Sequence, residues 1–214
     1  MHNFKGAIFD LDGTLLDSMW IWEQIDMEFL GRRGLTVAED YLAAITPMHF
    51  YQAAEYTISR FGLPETAEEI VAEWSDMALD AYRHRIGLKP YAKEYLLYLK
   101  EQGVKLSVAT ASSDFIYTPA LERNGIYDLF DAFTSSSEAA RGKGFPDVYE
   151  LAAEKIGLTA EGCAVFEDIY AGVKGAKLGG FYTIGVEDKY AAHEREQIKK
   201  EADLYIKDYK ELLK

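Results

Sequence analysis

The chain has 214 residues, of which 49% are hydrophobic and 28% are charged. This is ordinary globular composition, and the length suits one large domain or one core domain with an insertion, so global disorder is excluded. The formal net charge of −13 argues against nucleic acid and anionic membranes as partners, because a negative surface repels both. The single cysteine, Cys163, excludes an internal disulfide.

The N-terminal residues run directly into a strand-like segment, without the charged and apolar regions of a signal peptide. No stretch approaches the roughly 18 apolar residues of a membrane-spanning helix. We therefore expect a cytoplasmic protein, and we expect it to be a monomer.

The first predicted element is a buried strand. Ala7–Phe9 is an apolar run, and it ends in the tight-turn sequence Asp10–Thr14. The segment from about 17 to 86 has apolar residues at helical spacing, which predicts four or so helices and no strand. Gly87–Pro90 ends this helical block.

Strands and helices alternate in the rest of the chain. We predict helices over about 91–102, 114–124, 147–156 and 171–178, a C-terminal helix, and strands at 104–109, 133–135, 163–166, 181–185 and 204–206. Repeated β-then-α units predict a parallel sheet covered by helices on both faces. The fold class is therefore α/β, with residues 1–16 and 87–214 forming the core and residues 17–86 forming an all-helical insertion.

Polar residues follow several of the predicted strands. Ligands of such sheets bind at the carboxyl ends of the strands. If the first strand is central, its end shares one crevice with the ends of the other strands and with the loop before the third helix. The residues placed there are Asp10, Asp12, Thr110, Ser112, Lys143, Glu167 and Asp168.

Clustered carboxylates repel one another unless a cation lies among them, and Mg²⁺ prefers oxygen ligands. An aspartate such as Asp10 can attack phosphorus to form an aspartyl-phosphate. An acid two residues on, Asp12, can protonate the leaving oxygen and then activate water. Lys143 would neutralise charge on the phosphoryl oxygens, and Thr110 would donate a hydrogen bond.

Each of these residues has an ordinary explanation when it is taken alone. Asp12 and Gly13 are common in turns, and Thr110 could be a helix N-cap. Glu167 and Asp168 could begin a helix, where acids favour the helix dipole. A lone loop lysine such as Lys143 is usually solvated. The combination, in this order and at strand ends, indicates a phosphoryl-transfer site.

Four motifs resemble those of the haloacid dehalogenase superfamily. They are Asp10–Ser18, Val108–Ser112, Gly142–Asp147 and Phe166–Asp168 with Ala171–Val173. The resemblance covers essentially the whole chain outside residues 17–86, and within the superfamily the chain looks closest to the beta-phosphoglucomutase and small-phosphatase group.

This resemblance implies a Rossmann-like, doubly wound core with a helical cap over residues 17–86. It implies that Asp10 is the nucleophile and Asp12 the general acid/base. It also implies Mg²⁺ held by Asp10, the Asp12 backbone carbonyl and Asp168, with Glu167 nearby. The sequence departs from the family pattern at Gly144, where proline is usual, and at Ile169–Tyr170, where serine usually begins the helix.

Specific residues separate the reactions known in the superfamily. Haloacid dehalogenases lack an acid at the position of Asp12, and the phosphonate-cleaving members need a cap lysine, which is missing between Lys5 and Lys89. The mutases carry a cap histidine where this chain has Trp22, and an arginine in a loop that here, at residues 46–51, has none.

We therefore expect a magnesium-dependent phosphatase acting on small phosphorylated metabolites such as sugar phosphates. A beta-phosphoglucomutase-type sugar phosphomutase is the alternative, and a non-catalytic metal-binding module is the second alternative. The candidate substrate-binding residues are Ser112, His49 and Trp22.

Overall fold

The computed structural model describes residues 4–45, 48 and 50–213. The chain folds into two compact units, Met1–Met19 with Ile86–Lys214, and Trp20–Arg85. The first unit is called the core and the second the cap. No helix in the described ranges is both long enough and apolar enough to cross a bilayer.

The core contains eight strands and five α-helices among the residues described. In chain order they are β1 (Gly6–Phe9), β2 (Leu16–Asp17), β3 (Gly87–Leu88), α5 (Ala92–Glu101), β4 (Lys105–Thr110), α6 (Asp114–Arg123), β5 (Ala132–Ser135), α7 (Asp147–Lys155), β6 (Cys163–Glu167), α8 (Tyr170–Leu178), β7 (Tyr182–Val186), α9 (Arg195–Glu201) and β8 (Leu204–Ile206). The cap contains α1 (Trp20–Arg32), α2 (Glu39–Ile45), α3 (Phe50–Phe61) and α4 (Ala67–His84).

Six strands of the described core form one sheet in the order β5-β4-β1-β6-β7-β8. Every neighbouring pair is parallel. The predicted α/β class and parallel sheet are thus confirmed, and β1 lies between β4 and β6. The carboxyl ends of β4, β1 and β6 are therefore adjacent, which is the arrangement that the predicted site requires.

Apolar residues cover both faces of this sheet. Ile8 belongs to a buried cluster with side chains of α7 and α8, including Val148, Tyr149 and Ala176. Its neighbour Phe9 points to the other face, as alternate residues of a strand do, and its ring stacks on Phe166 with centroids 4.3 Å apart. Burial on both faces explains why the central strands read as continuous apolar runs.

Three local expectations differ from the structure. Asp17, expected to lie in a strand-free segment, belongs to β2, which pairs with β3 as a short antiparallel ribbon. The helix α9 is not predicted, because Ile198 is its one buried residue and so no apolar stripe is visible. The expected C-terminal helix is a single 3₁₀ segment, Tyr209–Leu212.

The cap helices pack around a buried apolar set that includes Ile21, Ile25, Phe29, Ile70 and Trp74. The helix α4 begins with a capping box, in which Thr66 accepts a hydrogen bond from the Glu69 N–H and the Glu69 side chain accepts one from the Thr66 N–H. This arrangement satisfies backbone donors that a helix start leaves open.

Candidate active site

Asp10 directly follows the central strand β1 and is buried. Its backbone N–H donates to the Phe166 carbonyl at 3.0 Å, so the residue is still tied to β6 beyond the end of the strand. The Lys143 ammonium donates to Asp10 Oδ1 and, at 2.7 Å, to Glu167 Oε1. A lysine from a loop 133 residues away therefore bridges carboxylates of two adjacent strands.

The turn after Asp10 is shaped by a glycine. Gly13 has a φ of +80°, in the left-handed region that L side chains rarely adopt, and a Cβ there would lie 2.2 Å from Asp168 Oδ2. The next residue, Thr14, is buried, and its hydroxyl lies 3.0 Å from Asp168 Oδ1 and 3.4 Å from Asp10 Oδ2. The turn therefore brings the Asp168 carboxylate close to that of Asp10.

Three buried carboxylates form a compact acidic group. Asp10, Glu167 and Asp168 each offer one oxygen, and these oxygens lie within 4.8 Å of one another. Glu167 Oε2 is buried and has no hydrogen-bond partner among the described residues. Such an oxygen is costly to bury unless something binds it. Three clustered carboxylates of this kind, one of which also has an unsatisfied oxygen, fit Mg²⁺.

The electrostatics agree with that fit. Burial raises the pKa of Asp10 to about 7, against the opposing effect of Lys143. Burial also raises the pKa of Asp168 well above its usual range, reinforced by the charges of Asp10 and Glu167. Burial acts to lower the pKa of Lys143. The negative charges of Asp10 and Glu167 and their hydrogen bonds to the ammonium have the larger effect, so the pKa of Lys143 is raised. One lysine among three acids leaves an excess of negative charge that a divalent cation would neutralise.

Asp12 has a different environment from Asp10. It is half-buried, and its two carboxylate oxygens accept hydrogen bonds from hydroxyl groups. Ser18 donates to Oδ1 at 2.8 Å, and Ser112 donates to Oδ2 at 2.5 Å. These two bonds fix the orientation of the carboxylate without adding a charge.

Glycine also sets the packing of the loop that carries Lys143. A Cβ on Gly175, in α8, would lie 2.0 Å from the Lys143 carbonyl oxygen, so the helix backbone rests against this loop. At Gly144, where the family usually has proline, an added Cβ would meet nothing within 4 Å. With glycine at position 144, Lys143 still contacts Asp10 and Glu167.

The remaining predicted residues have more varied positions. Thr110 is the last residue of β4, and its hydroxyl oxygen accepts the Ser112 N–H at 3.0 Å. The Ser112 hydroxyl is engaged with Asp12, as described above. Trp22 lies in the cap helix α1, 38% exposed, with its ring edge-to-face with Phe50. His49 lies outside the described residues. The roles assigned to these residues stay predictions.

Sequence reasoning missed several residues that support the site. Thr14 and Ser18 lie within the first motif, so their proximity to Asp10 and Asp12 could have suggested a role. Tyr149 donates to Glu167 Oε1 at 2.8 Å, and Tyr209 donates to the Thr14 carbonyl at 3.2 Å. Both tyrosines come from distant segments, and no local pattern marks them.

Comparison with known proteins agrees with this geometry. Hexitol phosphatase A of Escherichia coli is 32% identical over 85% of this chain and 82% of its own. Validoxylamine A 7'-phosphate phosphatase of Streptomyces hygroscopicus is 27% identical over 98% of this chain and 96% of its own. The crystal structure of a proposed beta-phosphoglucomutase from Thermotoga maritima, 22% identical, superposes with a TM-score of 0.84 and covers 95% of this chain and 94% of its own.

That superposition supports the fold, and the sequence matches extend to the site motifs. The family model for haloacid dehalogenase-like hydrolases matches residues 4–180, a range that includes every core residue of the candidate site. The chain belongs to the haloacid dehalogenase-like hydrolase family.

Proposed function

We propose that this protein is a magnesium-dependent phosphatase that hydrolyses small phosphorylated metabolites, sugar phosphates in particular, through an aspartyl-phosphate on Asp10. The main support is the position of Asp10, a buried carboxylate at the end of the central strand in contact with Lys143. Two similar proteins are phosphatases of a hexitol phosphate and of a validoxylamine phosphate by name. A buried nucleophile beside a cation suits attack on an anionic phosphate.

The metal-binding residues in this proposal are Asp10 and Asp168, with the Asp12 backbone carbonyl as a third ligand and Glu167 nearby. Bound Mg²⁺ would neutralise these carboxylates and attract the substrate phosphate to the site. The unsatisfied Oε2 of Glu167 favours this assignment. Thr14 would hold the Asp168 side chain through its 3.0 Å hydrogen bond.

In the first step, a carboxylate oxygen of Asp10 attacks phosphorus, and the bond from phosphorus to the ester oxygen breaks. Asp12, protonated, gives its proton to that leaving oxygen, so that an alcohol departs. Lys143 stabilises the negative charge on the phosphoryl oxygens, and the Thr110 hydroxyl donates a hydrogen bond to them.

In the second step, water attacks the phosphorus of the aspartyl-phosphate. Asp12, now ionised, takes a proton from this water, and inorganic phosphate leaves with Asp10 restored. The same carboxylate serves as acid and then as base, so its orientation must hold through both steps. The hydroxyl groups of Ser18 and Ser112 provide that orientation.

Cap residues favour hydrolysis over a mutase reaction. A mutase must hold a second phosphate, whereas hydrolysis needs one phosphate site. Trp22 stands where the mutases have histidine, and residues 46–51 contain no arginine. Arg33, another cationic residue of the cap, already pairs with Glu65 and Glu73 at 2.8 and 2.7 Å. The Arg33 guanidinium would have to leave these carboxylates before it could bind a phosphate.

The test is phosphate release from a panel of hexitol, hexose and pentose phosphates, run beside a coupled assay for isomerisation of beta-glucose 1-phosphate. We expect phosphate release that is abolished by EDTA and restored by Mg²⁺. Isomerisation faster than phosphate release would favour the mutase, and full activity in EDTA would contradict the magnesium assignment. Metal binding without turnover on any ester would favour the non-catalytic module.

A further inference from the structure

The turn that carries Asp168 lacks the usual helix cap. The strand β6 ends at Glu167 and α8 begins at Tyr170, so Asp168 and Ile169 form the whole connection. Ile169 is the N-cap residue and makes no side-chain cap hydrogen bond. Ser, Thr, Asp and Asn are preferred at this position because their oxygen accepts a backbone N–H of the first helical turn. An isoleucine cannot do so.

A distant glutamate supplies the missing acceptor. The Tyr170 N–H donates to Glu194 Oε2 at 2.8 Å, and Glu194 is 24 residues farther along the chain. A carboxylate at a helix N-terminus is also favoured by the helix dipole. Glu194 therefore supplies, from a distant segment, an acceptor at the start of α8 that Ile169 cannot provide.

Glu194 is the last residue of the loop between β7 and α9, residues 187–194, and this loop is anchored to the core. Asp188 is buried and pairs with the Lys89 ammonium at 2.5 Å, while the same ammonium donates to the Glu187 carbonyl at 3.1 Å. The Lys89 N–H donates to the Leu15 carbonyl at 2.8 Å. The loop is thus tied to the first motif at one end and reaches the Asp168 turn at the other.

Side-chain packing between this loop and the turn is incomplete. A cavity of about 280 Å³ is lined by Asp168 and Ile169 of the turn and by Asp188, Tyr190 and Glu194 of the loop. Beside this space, the hydrogen bond from the Tyr170 N–H to Glu194 is a direct restraint on the start of α8.

We infer that Glu194 is a positioning residue for the metal-binding carboxylate of Asp168. It caps α8 in place of the side chain that Ile169 cannot provide, and so it holds the short turn in the conformation that binds Mg²⁺. This inference rests on the proposed magnesium site. Groups that orient metal ligands contribute substantially to metal affinity, although they do not touch the metal.

Four variants test the inference. Glu194→Ala removes the acceptor, and Glu194→Gln keeps an acceptor oxygen but removes the charge. Ile169→Ser combined with Glu194→Ala restores a local cap. Glu196→Ala is the matched control, since the Glu196 side chain is 85% exposed and pairs with Lys199. Each variant is titrated with Mg²⁺ by calorimetry, and its thermal midpoint is measured without metal.

We expect Glu194→Ala to weaken Mg²⁺ binding by about tenfold or more. Glu194→Gln should bind within about threefold of wild type, because it retains an acceptor for the Tyr170 N–H. The double variant should do the same by a different bond, because a serine at the N-cap position accepts the N–H of the second or third helical residue, Ala171 or Gly172, and so holds the start of α8. Glu196→Ala should match wild type. If Glu194→Ala does not fold, the double variant decides: wild-type affinity supports the inference, and failure to fold overturns it.

Three results would overturn the inference in distinguishable ways. Unchanged Mg²⁺ affinity in Glu194→Ala, even with a lower thermal midpoint, would make Glu194 structural and leave the proposed function intact. Weak binding by Glu194→Gln, without rescue by Ile169→Ser, would mean that charge and not capping matters. Absence of Mg²⁺ binding in the wild-type protein would remove the proposed metal site itself.

Discussion

The core and the cap use charged residues in opposite ways. At the strand ends of the core, the acidic group of Asp10, Glu167 and Asp168 is buried with Lys143, and negative charge is in excess. In the cap, Arg33 lies between Glu65 and Glu73 and over the Phe29 ring, with a fifth of its side chain exposed. Unbalanced buried charge therefore marks a site for chemistry, whereas partly exposed pairs hold helices together.

Among the variants that contrast the two regions, the largest effect is expected at Lys143, which contacts Asp10 and Glu167 of the acidic group. Lys143→Met should lower kcat by about 10²–10³-fold, since it removes stabilisation of the transferring phosphoryl group. It should also tighten Mg²⁺ binding, because the metal no longer competes with a bound ammonium. Kinetics and calorimetry on the same preparation measure both effects.

The control for this variant is Lys155→Met. In the wild-type protein the Lys155 ammonium pairs with the partly exposed Glu138 at 2.7 Å. It should leave kcat and Mg²⁺ affinity unchanged. Weaker Mg²⁺ binding by Lys143→Met would indicate general damage to the site, contrary to the electrostatic account.

A smaller effect is expected from adding one methyl group to the core. Gly175→Ala places a Cβ where the Lys143 carbonyl oxygen lies, so helix or loop must shift. Because misplacement by about 1 Å can lower a rate up to 10²-fold, we expect kcat to fall by about tenfold or more. Gly142→Ala, at a position with no atom within 4 Å of an added Cβ, is the control. Equal kcat values for the two variants would contradict the packing argument.

The charge pairs of the cap should affect stability and not catalysis. Arg33→Ala should lower the free energy of unfolding by about 2 kcal/mol, since it breaks two ion pairs and a cation–π contact. Its neighbour Arg32 is 57% exposed, so Arg32→Ala should change stability by at most about 0.5 kcal/mol. All three tryptophans, Trp20, Trp22 and Trp74, lie in the cap, so their fluorescence in urea follows its unfolding. If Arg32→Ala loses as much stability as Arg33→Ala, the expected difference between the half-buried and the exposed arginine is refuted.

One carboxyl of the cap, that of Asp26, is buried and has no cation beside it among the contacts described. Burial raises the pKa of Asp26 to about 6, and Tyr41 donates to its Oδ1 at 3.2 Å. The folded protein therefore binds a proton at Asp26 more tightly than the unfolded chain does. The contribution of the protonated carboxyl to the free energy of unfolding is fully present below the unfolded pKa of about 4, and it is lost as pH rises through about 6.

Asp26→Asn does not ionise and keeps an acceptor for Tyr41. We therefore expect it to match wild type at about pH 4, and to exceed it by about 2 kcal/mol at about pH 8, since one pKa unit corresponds to about 1.4 kcal/mol. The measurement is urea unfolding followed by tryptophan fluorescence at both pH values. If the stability difference between Asp26→Asn and wild type is the same at both pH values, ionisation of Asp26 does not cause that difference.

The part of the site that lies at the strand ends could be predicted from the sequence, whereas the contacts between distant segments could not. Asp10, Asp12 and Asp168 stand directly after apolar strands, so local pattern and the rule for parallel sheets predict where they lie. Tyr209 and Glu194 act through contacts across 195 and 24 residues, which the fold creates and no local pattern encodes. The roles of Trp22 and His49 stay predictions, because specificity depends on the shape of a surface and not on a motif.

The most direct test of the account is to trap phosphate on Asp10. In Asp12→Asn, the amide cannot activate water, whereas para-nitrophenyl phosphate needs no proton for its leaving group, so the first step should outrun the second. We predict a burst of para-nitrophenol equivalent to the enzyme, and a phosphoryl group found by mass spectrometry on the peptide that contains Asp10. Asp10→Asn should give neither. A burst with the phosphoryl group on another residue, or steady turnover by Asp10→Asn, would contradict the account.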